Sequence, residues 1–146
     1  MDFKDTRQEA ALRCEAVAWL SAEAPRFEGP VLSELEGLER AKAWQAVKAA
    51  AGWACIRWPR DLGGRGASAM EEIIFEQEES KFALPQGFLG IGLKTCAGAI
   101  LGHATEEQKR RFLPRLASGE EVWCQLFSEP GRIRPRRSPH PCDARW

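Results

Sequence analysis

The residues able to do chemistry in this chain of 146 residues are few and widely spaced. Five cysteines (Cys14, Cys55, Cys96, Cys124 and Cys142) are odd in number and form no CxxC pair. Neither a zinc site nor a disulfide framework is expected from them, and a reducing cytoplasm suits them. Cys96 and Cys124 lie in apolar stretches and read as small core residues. His103 precedes a helix-cap signal and reads as a packing or solvent position, not as a base. Glu76, Glu78 and Glu79 read as a solvated helix face in preference to an acid–base pair. Ser128 stands before Glu129-Pro130-Gly131, where its hydroxyl can serve a turn or a ligand, and residue types alone leave both open. The six tryptophans read as core and loop packing.

Length and composition bound what can position these groups. The size is that of one ordinary domain, and the apolar share of 44% and charged share of 29% are those of a globular protein. Net charge is zero, but Arg132, Arg134, Arg136, Arg137 and Arg145 crowd the last residues against Asp143 alone. The remaining body is mildly acidic and has no broad basic patch, so nucleic acid is not an expected partner. The charged start, MDFKDTRQEA, is no signal peptide, and no apolar run reaches the roughly twenty residues of a membrane span.

The elements read as all-α. Thr6-x-x-Glu9 is a capping box opening a helix with Leu12, Ala16, Trp19, Leu20 and Glu23 at helical spacing, ended by Pro25, Gly29 and Pro30. A second helix is predicted from Ser33 to Gly52, with Leu38, Ala41, Trp44, Val47 and Ala51 inward. Residues 52–66, GWACIRWPRDLGGRG, are a glycine-rich break. Ser68-x-x-Glu71 caps a third helix that places Met70, Ile73, Ile74 and Gln77 on one side. A fourth, from Phe88 to Gly102, is apolar nearly all round and rich in glycine and alanine, which predicts burial with close backbone contact. Thr105-x-x-Gln108 caps a fifth, kinked by Pro114 and stopped at Gly119. Val122, Trp123, Gln125 and Phe127 have strand propensity, and the prolines after Gly131 predict an unfolded basic tail.

Two of these segments resemble the acyl-CoA dehydrogenase family. AAGWACIRWPRDLGGRGAS resembles an early helix-to-loop stretch of that family, and HATEEQKRRFLPRLASGEEVWCQLFSEPG resembles its capped helix running into the first strand of the middle domain. The resemblance covers essentially residues 1–131. It implies a helical N-terminal domain over residues 1–120, the first strand of a middle β-domain over 121–131, and an aberrant disordered tail over 132–146. The reaction implied is α,β-dehydrogenation of an acyl-CoA thioester in fatty acid metabolism, with FAD as cofactor, electron-transfer flavoprotein as electron acceptor and homo-oligomers as the usual state. By position, Gln125, Leu126, Phe127 and Ser128 match the strand whose backbone and hydroxyl contact the flavin ring. Glu129, Pro130 and Gly131 shape the turn after it. The helix from Phe88 to Leu101 would line one wall of the acyl pocket.

The family continues SEPG as AGSD, whereas here Gly131 is followed by RIRPRRSPHPCDARW. A reading-frame change is the expectation. Coded as GGC CGG ATC CGA CCT, Gly-Arg-Ile-Arg-Pro read one base later spells Ala-Gly-Ser-Asp and then a codon open to Leu. A coding sequence incompatible with that shifted reading overturns it. The chain is then expected to be a fragment that lacks the catalytic carboxylate and most of the flavin site and is inactive alone. The alternative is a non-enzymatic helical module that associates with full-length subunits. Apolar surface left uncovered by missing domains predicts weak solubility.

Overall fold

A computed structural model describes residues 5–85 and 87–125. The element order is α1 (Arg7–Glu23), a 3-10 turn (Ala24–Arg26), α2 (Glu34–Ala50), a second 3-10 turn (Arg60–Leu62), α3 (Ala69–Glu79), a π-helical segment (Ile91–Cys96), α4 (Ala97–His103) and α5 (Glu106–Ser118). Among the described residues no strand is present, so the all-α reading holds there.

The helices begin where local chemistry dictates. All three predicted capping boxes form, each with the cap hydroxyl accepting from the backbone N–H three residues on and the glutamate or glutamine side chain accepting in return. In α1, Thr6 Oγ1 accepts from Glu9 N–H at 3.3 Å, and Glu9 Oε2 accepts from Thr6 N–H at 2.7 Å. Ser33 Oγ caps α2 by accepting from Glu36 N–H at 3.2 Å. α5 ends at Gly119 (φ 74°) in the left-handed region that glycine reaches without strain. Pro114, expected to kink α5, sits exposed inside one continuous helical run.

Packing makes two hydrophobic clusters. α1 lies on α3, α2 lies on α5, and α5 also meets α4 and the Arg60–Leu62 turn. The first cluster gathers Ala16, Leu20, Trp44, Trp53, Ile56 and Phe75, with Trp19 and Phe27 against it. Trp19 stacks on Trp44 at 5.3 Å between centroids, and Trp53 stacks on Phe75 at 4.8 Å. The second gathers Cys55, Trp58, Leu62, Ala97, Leu113, Leu116 and Ala117, with Trp123 against it. Gln45, buried between α2 and α5, donates from Nε2 to the Ala117 carbonyl at 2.9 Å.

The break at residues 52–66 is an ordered loop that feeds both clusters. Ile56 O accepts from Arg65 N–H and from Ala67 N–H, both at 3.0 Å, while Trp58 O accepts from Gly66 N–H at 2.9 Å. Gly64 is required by this closure, because a Cβ there would lie 2.0 Å from the carbonyl oxygen of Trp58.

Two faces differ from the sequence reading. α3 turns Ile74, Phe75 and Glu78 inward, leaving Met70, Ile73 and Gln77 exposed. The packing of α1 on α3 selects that face, and the alternating glutamates around it gave no unique apolar stripe. The stretch predicted as one buried helix from Phe88 to Gly102 starts instead at Ile91, as a π-helical segment continuing into α4. Only Gly92 and Ala97 of residues 91–103 are buried, and Ile91 is 50% exposed. The predicted close backbone contact occurs at Gly92, where a Cβ would meet the Trp123 carbonyl oxygen at 3.3 Å; Gly90, Gly98 and Gly102 have open space around them.

Candidate functional site

Of the four residues matched to a flavin-contacting strand, Gln125 is described, and Leu126, Phe127 and Ser128 lie outside the described residues. Gln125 is half-buried and follows a stretch, 122–125, with neither helix nor ladder. A strand needs a partner ladder for its backbone donors and acceptors, and the described residues offer none. The turn at Glu129-Pro130-Gly131 and the tail after it also lie outside the described residues.

The described residues do build a cleft, and they build it elsewhere. α2, the loop around Trp53, α3, Pro85 and residues 87–94 line an open cavity of about 210 Å³. Its floor is aromatic, made by Trp44, Trp53, Trp58 and Phe75. Phe88, Leu89 and Leu93 form the facing wall. Phe88 is seated where Gly37 leaves room, since a Cβ on Gly37 would lie 2.7 Å from the Phe88 ring.

Charged side chains also line it, and each has a partner. Glu79 accepts from Trp44 Nε1 at 2.7 Å and pairs with Lys48 at 2.9 Å. Glu76 pairs with Lys94 at 3.0 Å, and that carboxylate raises the Lys94 ammonium above its usual range. Glu72 pairs with Arg57 at 3.5 Å. The Cys55 thiol in the cleft wall is pushed up to about 12 by burial, so it stays protonated and is no nucleophile near neutral pH. Aromatic and aliphatic side chains interleaved with paired charges give this cleft both apolar and polar lining for a ligand. It has no free base for proton transfer.

The acidic face predicted on α3 divides in two. Glu76 is exposed as expected. Glu78 is 5% exposed and takes Arg13 Nη1 from α1 at 2.7 Å, with Lys81 as its second cation. The Lys81 hydrogen bond outweighs burial and holds the Glu78 carboxyl below the usual range, with Arg13 acting in the same sense. Glu79 faces the cleft. Nothing local marks this division, because the cations arrive from α1, α2 and the turn after α3. The cysteine reading is corrected as well: Cys124 is exposed and Cys96 only half-buried, while Cys55 is the core thiol. His103 is exposed, and the five described tryptophans serve packing, as expected. The sequence reading did not pick out the cleft residues Lys48, Cys55 and Ile56. The available signal was the apolar run WACI directly after Gly52.

Among the described residues no group of histidine, cysteine or acidic side chains could hold a metal, and no helix is long and apolar enough to cross a membrane.

Comparison with known proteins agrees with this architecture. The Mycobacterium tuberculosis acyl-CoA dehydrogenase IpdE1 is 38% identical over 98 residues, which are 67% of this chain and 26% of that relative. The solved Tcur3481-Tcur3483 steroid ACAD superposes with a TM-score of 0.68 at 27% identity, covering 90% of this chain and 34% of that one. The ChsE4-ChsE5 complex from Mycobacterium tuberculosis gives 0.67 at 31% identity, covering 90% of this chain and 33% of that one. The chain thus spans between a quarter and about a third of these three proteins. The family model for the acyl-CoA dehydrogenase N-terminal domain matches residues 6–120, and the chain belongs to the acyl-CoA dehydrogenase family.

Proposed function

We propose that this chain supplies the N-terminal helical domain of an FAD-dependent acyl-CoA dehydrogenase, in which residues 88–94 form part of the wall against the acyl chain of a CoA thioester. The observation that carries this reading is the cleft. Phe88, Leu89 and Leu93, in the stretch matched to the acyl wall, share the lining of a cleft of about 210 Å³ with Trp44, Trp53, Trp58 and Phe75, and the charges in that lining are paired. A hydrocarbon chain fits such a lining because its transfer from water is favourable and it needs no polar partner. The names of the relatives, acyl-CoA dehydrogenases and a steroid ACAD, support a thioester substrate.

FAD would supply the redox chemistry of α,β-dehydrogenation, with an electron-transfer flavoprotein as the acceptor. The described residues do not by themselves fit a flavin: Gln125 is the single described member of the matched stretch and does not line the cleft. The 146 residues by themselves are proposed to be inactive, since the carboxylates at the cleft are committed to Lys48, Lys94 and Arg57.

The test is a fluorescence titration, because three tryptophans line the cleft. Long-chain acyl-CoA is expected to change tryptophan emission with saturation, and free CoA is not. Equal responses to the two, or none, would remove the acyl-wall reading.

A second reading is a helical module that associates with other acyl-CoA dehydrogenase subunits. It is favoured by the uncovered apolar side of residues 91–103 and by a structural relative that is itself a complex of two named chains. Flavin absorbance retained through purification favours the first reading. Co-purification with a full-length relative and no flavin favours the second.

A further inference from the structure

Gly92 and Cys96 lie one helical turn apart, and both face the same passing stretch of backbone. A Cβ on Gly92 would sit 3.3 Å from the Trp123 carbonyl oxygen, and Cys96 Sγ lies 3.9 Å from the Cys124 carbonyl oxygen. That backbone is anchored on both sides. The Trp123 ring meets Phe112 edge-on at 5.2 Å between centroids, and its Nε1 donates to Glu121 at 2.9 Å. The two cysteines are 28 positions apart in sequence, so tertiary packing alone brings them together.

Reach and access both allow a bond. A carbonyl oxygen is roughly 2.4 Å from its own Cα by standard backbone geometry, which puts the Cys96 sulfur no more than about 6.3 Å from the Cys124 Cα. Disulfides accept Cα separations of about 4.4–6.8 Å. Cys124 is exposed, so its side chain is free to turn and open to a small oxidant, while Cys96 is half-buried beside it. Cys55, buried and with its thiol pushed up to about 12, takes no part.

We propose that Cys96 and Cys124 form a reversible intramolecular disulfide, a redox modification site that ties residues 122–125 to the helical segment of residues 91–103. The oxidant is a low-molecular-weight disulfide. The Cys124 thiolate attacks one of its sulfurs and expels one small thiol, leaving a mixed disulfide. The Cys96 thiol then loses its proton, and its sulfur displaces the second small thiol from Cys124. Two protein thiols give up two protons and two electrons, and the small disulfide becomes two thiols. Gln125 follows the tie directly, so the bond also sets how the chain enters the stretch proposed for flavin contact. That consequence rests on the function proposed above, whereas the disulfide does not.

The experiment equilibrates the full chain with oxidised and reduced glutathione, blocks free thiols, and maps tryptic peptides without reduction. The expected product joins peptide 95–109 to peptide 116–132 within one monomer. It should melt higher by about 5 °C or more, as a cross-link that restricts the unfolded chain does, and dithiothreitol should reverse the rise. Cys96→Ser and Cys124→Ser should each abolish the rise while melting with the wild type under reduction. If either variant fails to fold, the wild-type peptide map decides alone. Cys96 joined to Cys14, to Cys142 or to another chain overturns the proposal, as does a glutathione adduct as the final product. A 96–124 bond that leaves the melting point unchanged overturns the tie.

Discussion

The two hydrophobic clusters are built from different materials, and the difference separates what holds the domain together from what it offers to others. Around α1, α2 and α3 the core is aromatic. Trp19, Trp44, Trp53 and Phe75 pack ring on ring, and the Arg65 guanidinium closes over Trp53 at 3.8 Å from its centroid. Large rings bury much area at little rotamer cost, so one such box can hold three helices and a loop. Around α4 and α5 the core is made mostly of leucines, alanines and a cysteine around the single buried ring of Trp58, and one side of the 91–103 stretch is left without any partner among the described residues. The first region packs ring on ring and also lines the cleft. The second uses its apolar residues on two sides but covers only one.

If that contrast is right, substitutions should separate the regions by size of effect. Trp44→Ala removes a stacked ring and the donor to Glu79, and is expected to cost about 3–5 kcal/mol in chemical denaturation. Leu113→Ala in the second cluster, at 0% exposure, is expected to cost about 2–4 kcal/mol, because an edge built from small side chains can relax into the space. Equal losses at the two positions would erase the distinction drawn here.

Glu78→Gln tests the tie between α1 and α3 and should cost about 2–3 kcal/mol by leaving Arg13 without its buried anion. Its pH dependence has a definite sign. The Glu78 carboxyl is depressed in the folded state, so its contribution is present above the unfolded value near about 4.3 and is lost as pH falls through the lower folded value. Wild type should therefore lose stability on acidification below about pH 4.5, and the glutamine variant should lose measurably less over the same window. Parallel acid limbs would show that Glu78 is not the group responsible.

Smaller effects sharpen the second region. Thr105→Ala opens the capping box of α5 and is expected to cost about 1 kcal/mol, readable as a shifted denaturation midpoint with an unchanged slope. Ile91→Ser should change monomer stability by less than about 0.5 kcal/mol, since half of that side chain already meets water. The same substitution is expected to improve solubility. A large loss of stability there would mean that the 91–103 stretch is core after all.

Much of the fold was legible because its signals are short-range. Thr6, Ser68 and Thr105 each find their partner three residues on, so the cap is complete before any helix meets another. The candidate site was harder to read. Phe88, Leu89 and Leu93 were singled out by a family resemblance, but the floor opposite them is assembled from α2, α3 and the loop after α2. No spacing along one element encodes that meeting. The glutamates of α3 show the same limit. Their identical charges looked equivalent, yet Glu76 pairs across to Lys94, Glu78 is buried under Arg13, and Glu79 holds Lys48 and the Trp44 indole.

By itself, then, the sequence determined where the helices with a capping side chain start, that residues 52–66 break the helical run, and to which family the chain belongs. Each of these depends on residues close together in the chain or on motifs preserved as runs. Only the tertiary structure decided which face of α3 turns inward, that the apolar stretch after residue 90 stays half uncovered, and that Cys96 meets the backbone of Cys124. Burial and contact are properties of pairs of elements, so an apolar residue is core only when another element covers it.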